Sequence, residues 1–166
     1  KVLRDALGKG SLAKPIPAGH KDSTGRFHST MGLAPINLKR IQATPKDGGD
    51  RLAWKDSNEL QLKAYAGKDD SFKDVYGRLF WDRPAPTITT KYVSYTNGRF
   101  GHPEQDRALS VREGAALQSF PMSYKIKTDS IGDAARIIGN AVPPVFAKSL
   151  GQQILKVRNG RAKQAV

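Results

Sequence analysis

An α+β fold is predicted for this chain: an irregular antiparallel β region followed by C-terminal helices. Three observations predict it. Two runs rich in β-branched and aromatic residues, 75–81 and 87–95, are separated by Asp82-Arg83-Pro84 and closed by Asn97-Gly98, the pattern of a small antiparallel sheet. From Ser110 onward the apolar period becomes helical. Between His20 and Asp74, turn formers recur too densely for long elements.

Taken in order, Val2, Leu3, Ala6 and Leu7 recur at helical spacing, so the chain opens on a short amphipathic helix ended by Gly8 and Gly10. Pro15 and Pro17 extend the connection, and residues 1–19 read as helix and linker. Pro45, Asp47-Gly48-Gly49 and Gly67-Lys68-Asp69-Asp70 mark turns within a single irregular unit, 20–106, that carries interspersed strands. Ser110 and Glu113 have the spacing of a capping box, in which each side chain satisfies an orphan N–H at the helix start. Pro121 stops that helix. Ser130 with Asp133 predicts a second cap, and Gly139 its C-terminal stop. After Pro143-Pro144, a last helix places Phe146, Leu150, Ile154 and Val157 on one stripe. Residues 107–157 are therefore helical, and 158–166 read as a basic disordered tail.

Composition narrows the partners. Within 166 residues, 28 Lys and Arg stand against 15 Asp and Glu, a net charge of +13 that favours a polyanion. There are no cysteines, which excludes disulfides, cysteine-ligated zinc and a thiolate nucleophile in this sequence. His20, His28 and His102 lack metal-ligand spacing, so no metal is expected. No apolar run approaches the ~18 residues of a transmembrane helix and no signal peptide is visible, so a cytoplasmic location in a prokaryote or phage is expected. The first residue is Lys1 rather than Met, in keeping with a piece of a longer protein.

Two segments carry a family resemblance. Arg107-Ala-Leu-Ser-Val-Arg112-Glu113-Gly-Ala-Ala-Leu117-Gln118-Ser-Phe120-Pro121 resembles motif IX of the DNA cytosine-5 methyltransferases. Ile138-Gly139-Asn140-Ala141-Val142-Pro143-Pro144 resembles their motif X, in the same order and at the same short separation. Upstream, Pro86-Thr87-Ile88-Thr89-Thr90 followed by Asn97-Gly98 is similar to the Thr-Leu element of the target recognition domain, and the opening helix to the one after motif VIII. Ser110, Ala116, Met122 and Ala141 stand where Thr, Arg, Asp and Ser are common.

The resemblance implies a target recognition domain whose following helices dock on a separate Rossmann-like catalytic domain. It implies methyl transfer from S-adenosylmethionine to C5 of cytosine in a specific sequence of double-stranded DNA, in the setting of restriction–modification. The family's nucleophile is a Cys of a Pro-Cys motif that adds to C6 of a flipped cytosine, aided by a Glu of a Glu-Asn-Val motif. Neither motif is in this sequence, and neither is the Gly-rich turn that cradles the cofactor. No catalytic residue is assigned here, and a partner region or subunit carrying those motifs is expected. Asn140 and Ala141 are assigned to the cofactor pocket, with a helix C-cap as the structural alternative for Asn140. Thr89 and Thr87 are assigned to the DNA backbone, or are plain strand formers. Arg78, Lys91 and Arg99 are assigned to DNA bases or phosphates, Arg78 foremost, or are solvated charges. Arg107, Arg112, Glu113 and Gln118 are expected to order the recognition domain, with Leu117 and Phe120 in the core. A non-enzymatic basic nucleic-acid-binding protein and an inert fragment of a broken gene remain the alternatives.

Overall fold

The computed structural model describes residues 2–164, with side chains described through Asn159. Its α-helices are α1 (Leu3–Leu7), α2 (Pro35–Ala43), α3 (Val111–Leu117), α4 (Ile131–Gly139) and α5 (Pro144–Gln164), with short 3₁₀ turns between α1 and α3. The helix starts follow the sequence. Asp5 accepts from the Val2 N–H at 3.0 Å, Pro35 begins α2, and the Ser130 hydroxyl accepts from the Asp133 N–H at 3.2 Å. At α3 the capping box is complete: Ser110 Oγ accepts from the Glu113 N–H at 3.1 Å, and Glu113 Oε2 from the Ser110 N–H at 2.7 Å. The backbone of α5 is helical through Gln164, past the boundary expected at 157; the last two residues lie outside the described ones.

The β half of the expected fold is overturned. Among the described residues no strand forms; two isolated bridges, Arg78–Gly101 parallel and Gly101–Ala108 antiparallel, meet at Gly101. Three local causes account for this. Tyr76 has φ +59°, which no strand residue adopts. Pro84 and Pro86 bring no N–H to a ladder. Tyr92 and Val93 are both buried in the same core cluster, whereas a strand would send neighbours to opposite faces; the chain turns instead, with Tyr92 N–H on Thr89 O and Ser94 N–H on Lys91 O.

In place of a ladder, arginine forks tie together carbonyls of separate loops. Arg78 donates to the carbonyls of Ile41, Thr44, His102 and Gln105. Arg99 does so to Lys73, Gly48, Gly49 and Arg78, and Arg51 to Lys68, Ser71 and Phe72. A planar guanidinium with five donors suits the task as no lysine would.

Two cores result. The larger gathers Leu3 and Leu7 of α1, Leu79, Tyr92, Val111 and Ala115 of α3, and Ala134 and Ile138 of α4. The smaller packs Ile41, Trp54, Tyr76 and Tyr95, with the rings of Trp54 and Tyr95 each edge-on to Tyr76. From Val145 to Asn159, every side chain of α5 is exposed, Gly151 alone being intermediate.

Candidate functional site

The segment after Pro86 and the turn after α4 meet. A Cβ at Gly139 would lie 2.6 Å from the backbone of Thr89 and Thr90, so only glycine allows this approach. Neither Gly139 nor Asn140 has positive φ; Asn140 caps α4 at φ −86°, ψ −8°. The left-handed backbone that would make glycine or asparagine a C-cap signal is therefore not what these residues supply. Close contact with Thr89 accounts for Gly139, and it sets Asn140 and Ala141 beside the threonine segment.

At that junction Thr87, Thr89, Lys91 and Asn140 are exposed and Ala141 is half-buried. Thr89 Oγ1 accepts from the Lys91 N–H at 3.3 Å. Thr87 and Ala141 line a groove of about 1280 Å³ whose walls also include α1, the Pro84–Pro86 stretch and, at and just after the end of α3, Ala116 to Phe120. Lys9 and Arg26 lie on the same groove; sequence reasoning did not single them out, because both sit in segments that read only as linker and loop.

The first part of motif IX, Arg107 to Ala115, is buried, while its end lines the groove. The Arg107 guanidinium grips Glu113 with both ends, at 2.7 and 2.7 Å, and neither side chain has solvent exposure. Arg107 also holds Ile16 O and Gln105 Oε1. Burial pushes the Glu113 carboxyl up, but Arg107, His102 and the Ser110 N–H outweigh it and hold it below the usual carboxylate range. Arg112 ties Arg26 O and Tyr124 O to α3. Gln118 donates from Nε2 to Ile138 O at 2.6 Å, joining α3 to α4. Leu117 and Phe120 pack partly buried against the larger core. His102 sits beside this pair; its Nδ1 accepts from the N–H groups of Glu104 and Gln105, which leaves its proton on Nε2, 3.9 Å from Glu113. Burial pushes the imidazole down to about 4, against the pull of Glu113 and with the help of Arg107 and Arg78.

The cations assigned to DNA divide. Lys91 is exposed beside the junction. Arg78 has no exposed surface, and beyond its four carbonyls it pairs with Asp106 at 2.5 Å. Arg99 is 13% exposed in its side chain and pairs with Asp74 at 3.0 Å. With their forks filled from within, Arg78 and Arg99 present no free donor face to a base edge in this conformation. Their acceptors lie far along the chain, which is why a local reading takes both for surface charges. Among the described residues, no group of three or more His, Asp or Glu side chains is arranged to hold a metal, and no helix is long and apolar enough to cross a membrane.

Comparison with known proteins agrees with the motif reading. The family model for C-5 cytosine-specific DNA methylase matches residues 49–156. The chain is 40% identical to type II methylase M.HgiDII of Herpetosiphon aurantiacus, over 96% of this chain and 45% of that protein. It is 36% identical to DNA (cytosine-5)-methyltransferase 3 of Arabidopsis thaliana, over 95% of this chain and 13% of that protein. It is 43% identical to DNA (cytosine-5)-methyltransferase PliMCI of Paracentrotus lividus, over 89% of this chain and 9% of that protein. The chain thus spans less than half the length of each of these relatives. With its two motif segments joined by the Gln118–Ile138 hydrogen bond and a family match over most of its length, this chain belongs to the C-5 cytosine-specific DNA methylases.

Proposed function

We propose that this chain is the DNA-recognising and active-site-completing part of a cytosine-5 DNA methyltransferase. The observation that carries the reading is the Gly139–Thr89 contact, which holds the motif X turn and the threonine segment on one edge of the large groove. Thr87, Thr89 and Lys91 then face the DNA backbone, while Asn140 and Ala141 form one wall of the S-adenosylmethionine pocket. The exposed amide of Asn140 makes no side-chain hydrogen bond among the described residues, so it is free to meet a polar cofactor group. S-adenosylmethionine, when bound, supplies the methyl group. Arg78 and Arg99 act at one remove, by bracing the loops that carry the contacts. A role in restriction–modification follows from the likeness to a protein named as a type II methylase.

The remaining machinery comes from a region or subunit carrying the Pro-Cys and Glu-Asn-Val motifs. The groove and the exposed stripe of Phe146, Leu150 and Ile154 on α5 are the faces offered to it. Cytosine C5 needs a thiolate at C6 before it attacks a methyl sulfonium, and this sequence has no Cys. The purified chain should therefore transfer no labelled methyl group to DNA by itself, and should do so when mixed with a polypeptide bearing those motifs. Stoichiometric labelling of DNA by the chain alone would overturn the reading. In the mixture, Asn140→Ala should raise the S-adenosylmethionine KM with DNA affinity unchanged; a fall in DNA affinity alone would remove Asn140 from the cofactor wall.

A further inference from the structure

A smaller cavity of about 240 Å³ lies beside the large groove and shares Ser11, Arg26 and Met122 with it. Lys14, Arg26 and Arg112 bring positive charge to its walls, and Asp22 brings the one carboxylate. Two residues that line this cavity each carry a buried nitrogen atom with no partner among the described residues: Arg112 Nη1 and His28 Nε2. Arg112 is only 1% exposed, and its other nitrogen atoms are taken by Arg26 O and Tyr124 O.

The two orphan atoms have the same polarity. Ser110 Oγ lies 2.8 Å from His28 Nδ1 and already accepts from the Glu113 N–H. Ser110 is fully buried, so its hydroxyl hydrogen needs an acceptor, and His28 Nδ1 is the one within reach. That fixes the imidazole proton on Nε2. Both unpartnered atoms are therefore donors, and a buried donor without an acceptor keeps its full cost of desolvation. Asp22 does not satisfy them. Its Oδ1 accepts from the N–H and hydroxyl of Thr24, and its Oδ2 from the His28 N–H, so the carboxylate is turned into its own loop.

We propose that this cavity is an oxyanion site, in which a phosphate group is held by Arg112 Nη1 and His28 Nε2, with Lys14 and Arg26 at the rim. The phosphate belongs either to a nucleic-acid backbone or to free inorganic phosphate. The site spans the loop before α2 and the motif IX helix, so its occupant ties the two together.

The test uses the full chain with ¹⁵N-labelled histidine and arginine, titrated with inorganic phosphate against chloride at matched ionic strength. A saturable shift of the His28 Nε2 and Arg112 Nη signals with phosphate alone is the expected result. His28→Phe keeps the ring's bulk and removes the donor, and should weaken phosphate about tenfold or more. Lys14→Gln with Arg26→Gln changes only exposed residues, and should weaken it severalfold in a chain whose circular dichroism is unaltered. Displacement of phosphate by a short DNA duplex identifies the backbone as the source, and retention under saturating duplex identifies free phosphate; either supports the site. A His28 signal that responds to phosphate no more than to chloride would show a cavity for water alone and overturn the proposal.

Discussion

Buried charge is what distinguishes this molecule at the scale of single residues. Arg107 and Glu113 are wholly enclosed and mutually paired. Removing one partner of such a pair leaves an uncompensated charge in a low-dielectric interior. Glu113→Ala should accordingly cost about 3–5 kcal/mol in urea denaturation. A loss below about 1 kcal/mol, the size seen for exposed pairs, would mean that water reaches Arg107. His102 gives a pH signature. Its folded pKa of about 4 lies below the unfolded value of 6.5, so the unfolded chain binds more protons between those limits. Its contribution is therefore complete above about pH 6.5 and is lost as pH falls toward 4, by on the order of 3 kcal/mol. His28, also held down by burial, adds in the same direction. Glu113, whose folded pKa is lowered, loses its contribution only at still lower pH. Urea midpoints at several pH values should thus fall through this window for the native chain and fall less steeply for His102→Gln. Equal slopes would relocate the titration to another group.

Local elements were legible where the signal is local. The Ser-x-x-Glu spacing of α3, the Ser130 cap of α4 and the opening apolar pair of α1 each depend on residues within one turn, and each forms. Ser110→Ala removes both the cap and the hydrogen bond to His28, and should cost about 1–2 kcal/mol in the same assay. The predicted strands failed because their fate depends on remote partners. Nothing near Val75 announces that Arg78 will be enclosed by residues 41–44 and 102–106. The residues assigned to DNA divide by exposure: Thr87, Thr89 and Lys91 are exposed, whereas Arg78 and Arg99 are inside. Gly139 was legible as a helix stop, but its reason is contact with Thr89, a residue fifty positions earlier. Gly139→Ala should force those segments apart, costing about 1–3 kcal/mol and disturbing the amide signals of Thr89 and Thr90. Unchanged signals at those amides would sever the junction on which the proposed function rests.

For the whole molecule, the surplus of +13 charges predicts DNA binding dominated by counterion release. If about four phosphates are neutralised, the dissociation constant should rise roughly a hundredfold between 50 and 200 mM salt. Fluorescence anisotropy with a short duplex measures it, and a flat salt response would remove the phosphate backbone as the principal partner. The arginine forks carry a further consequence for how such a chain diversifies. In a sheet, one inserted residue slips the register and turns every following side chain to the opposite face. Loops pinned at separate points have no register to slip, so an insertion between Arg51, Arg78 and Arg99 is absorbed within one span while the pinned points stay in place. Loop length, and with it the surface offered to a ligand, can drift from one descendant to the next without the interior being rebuilt.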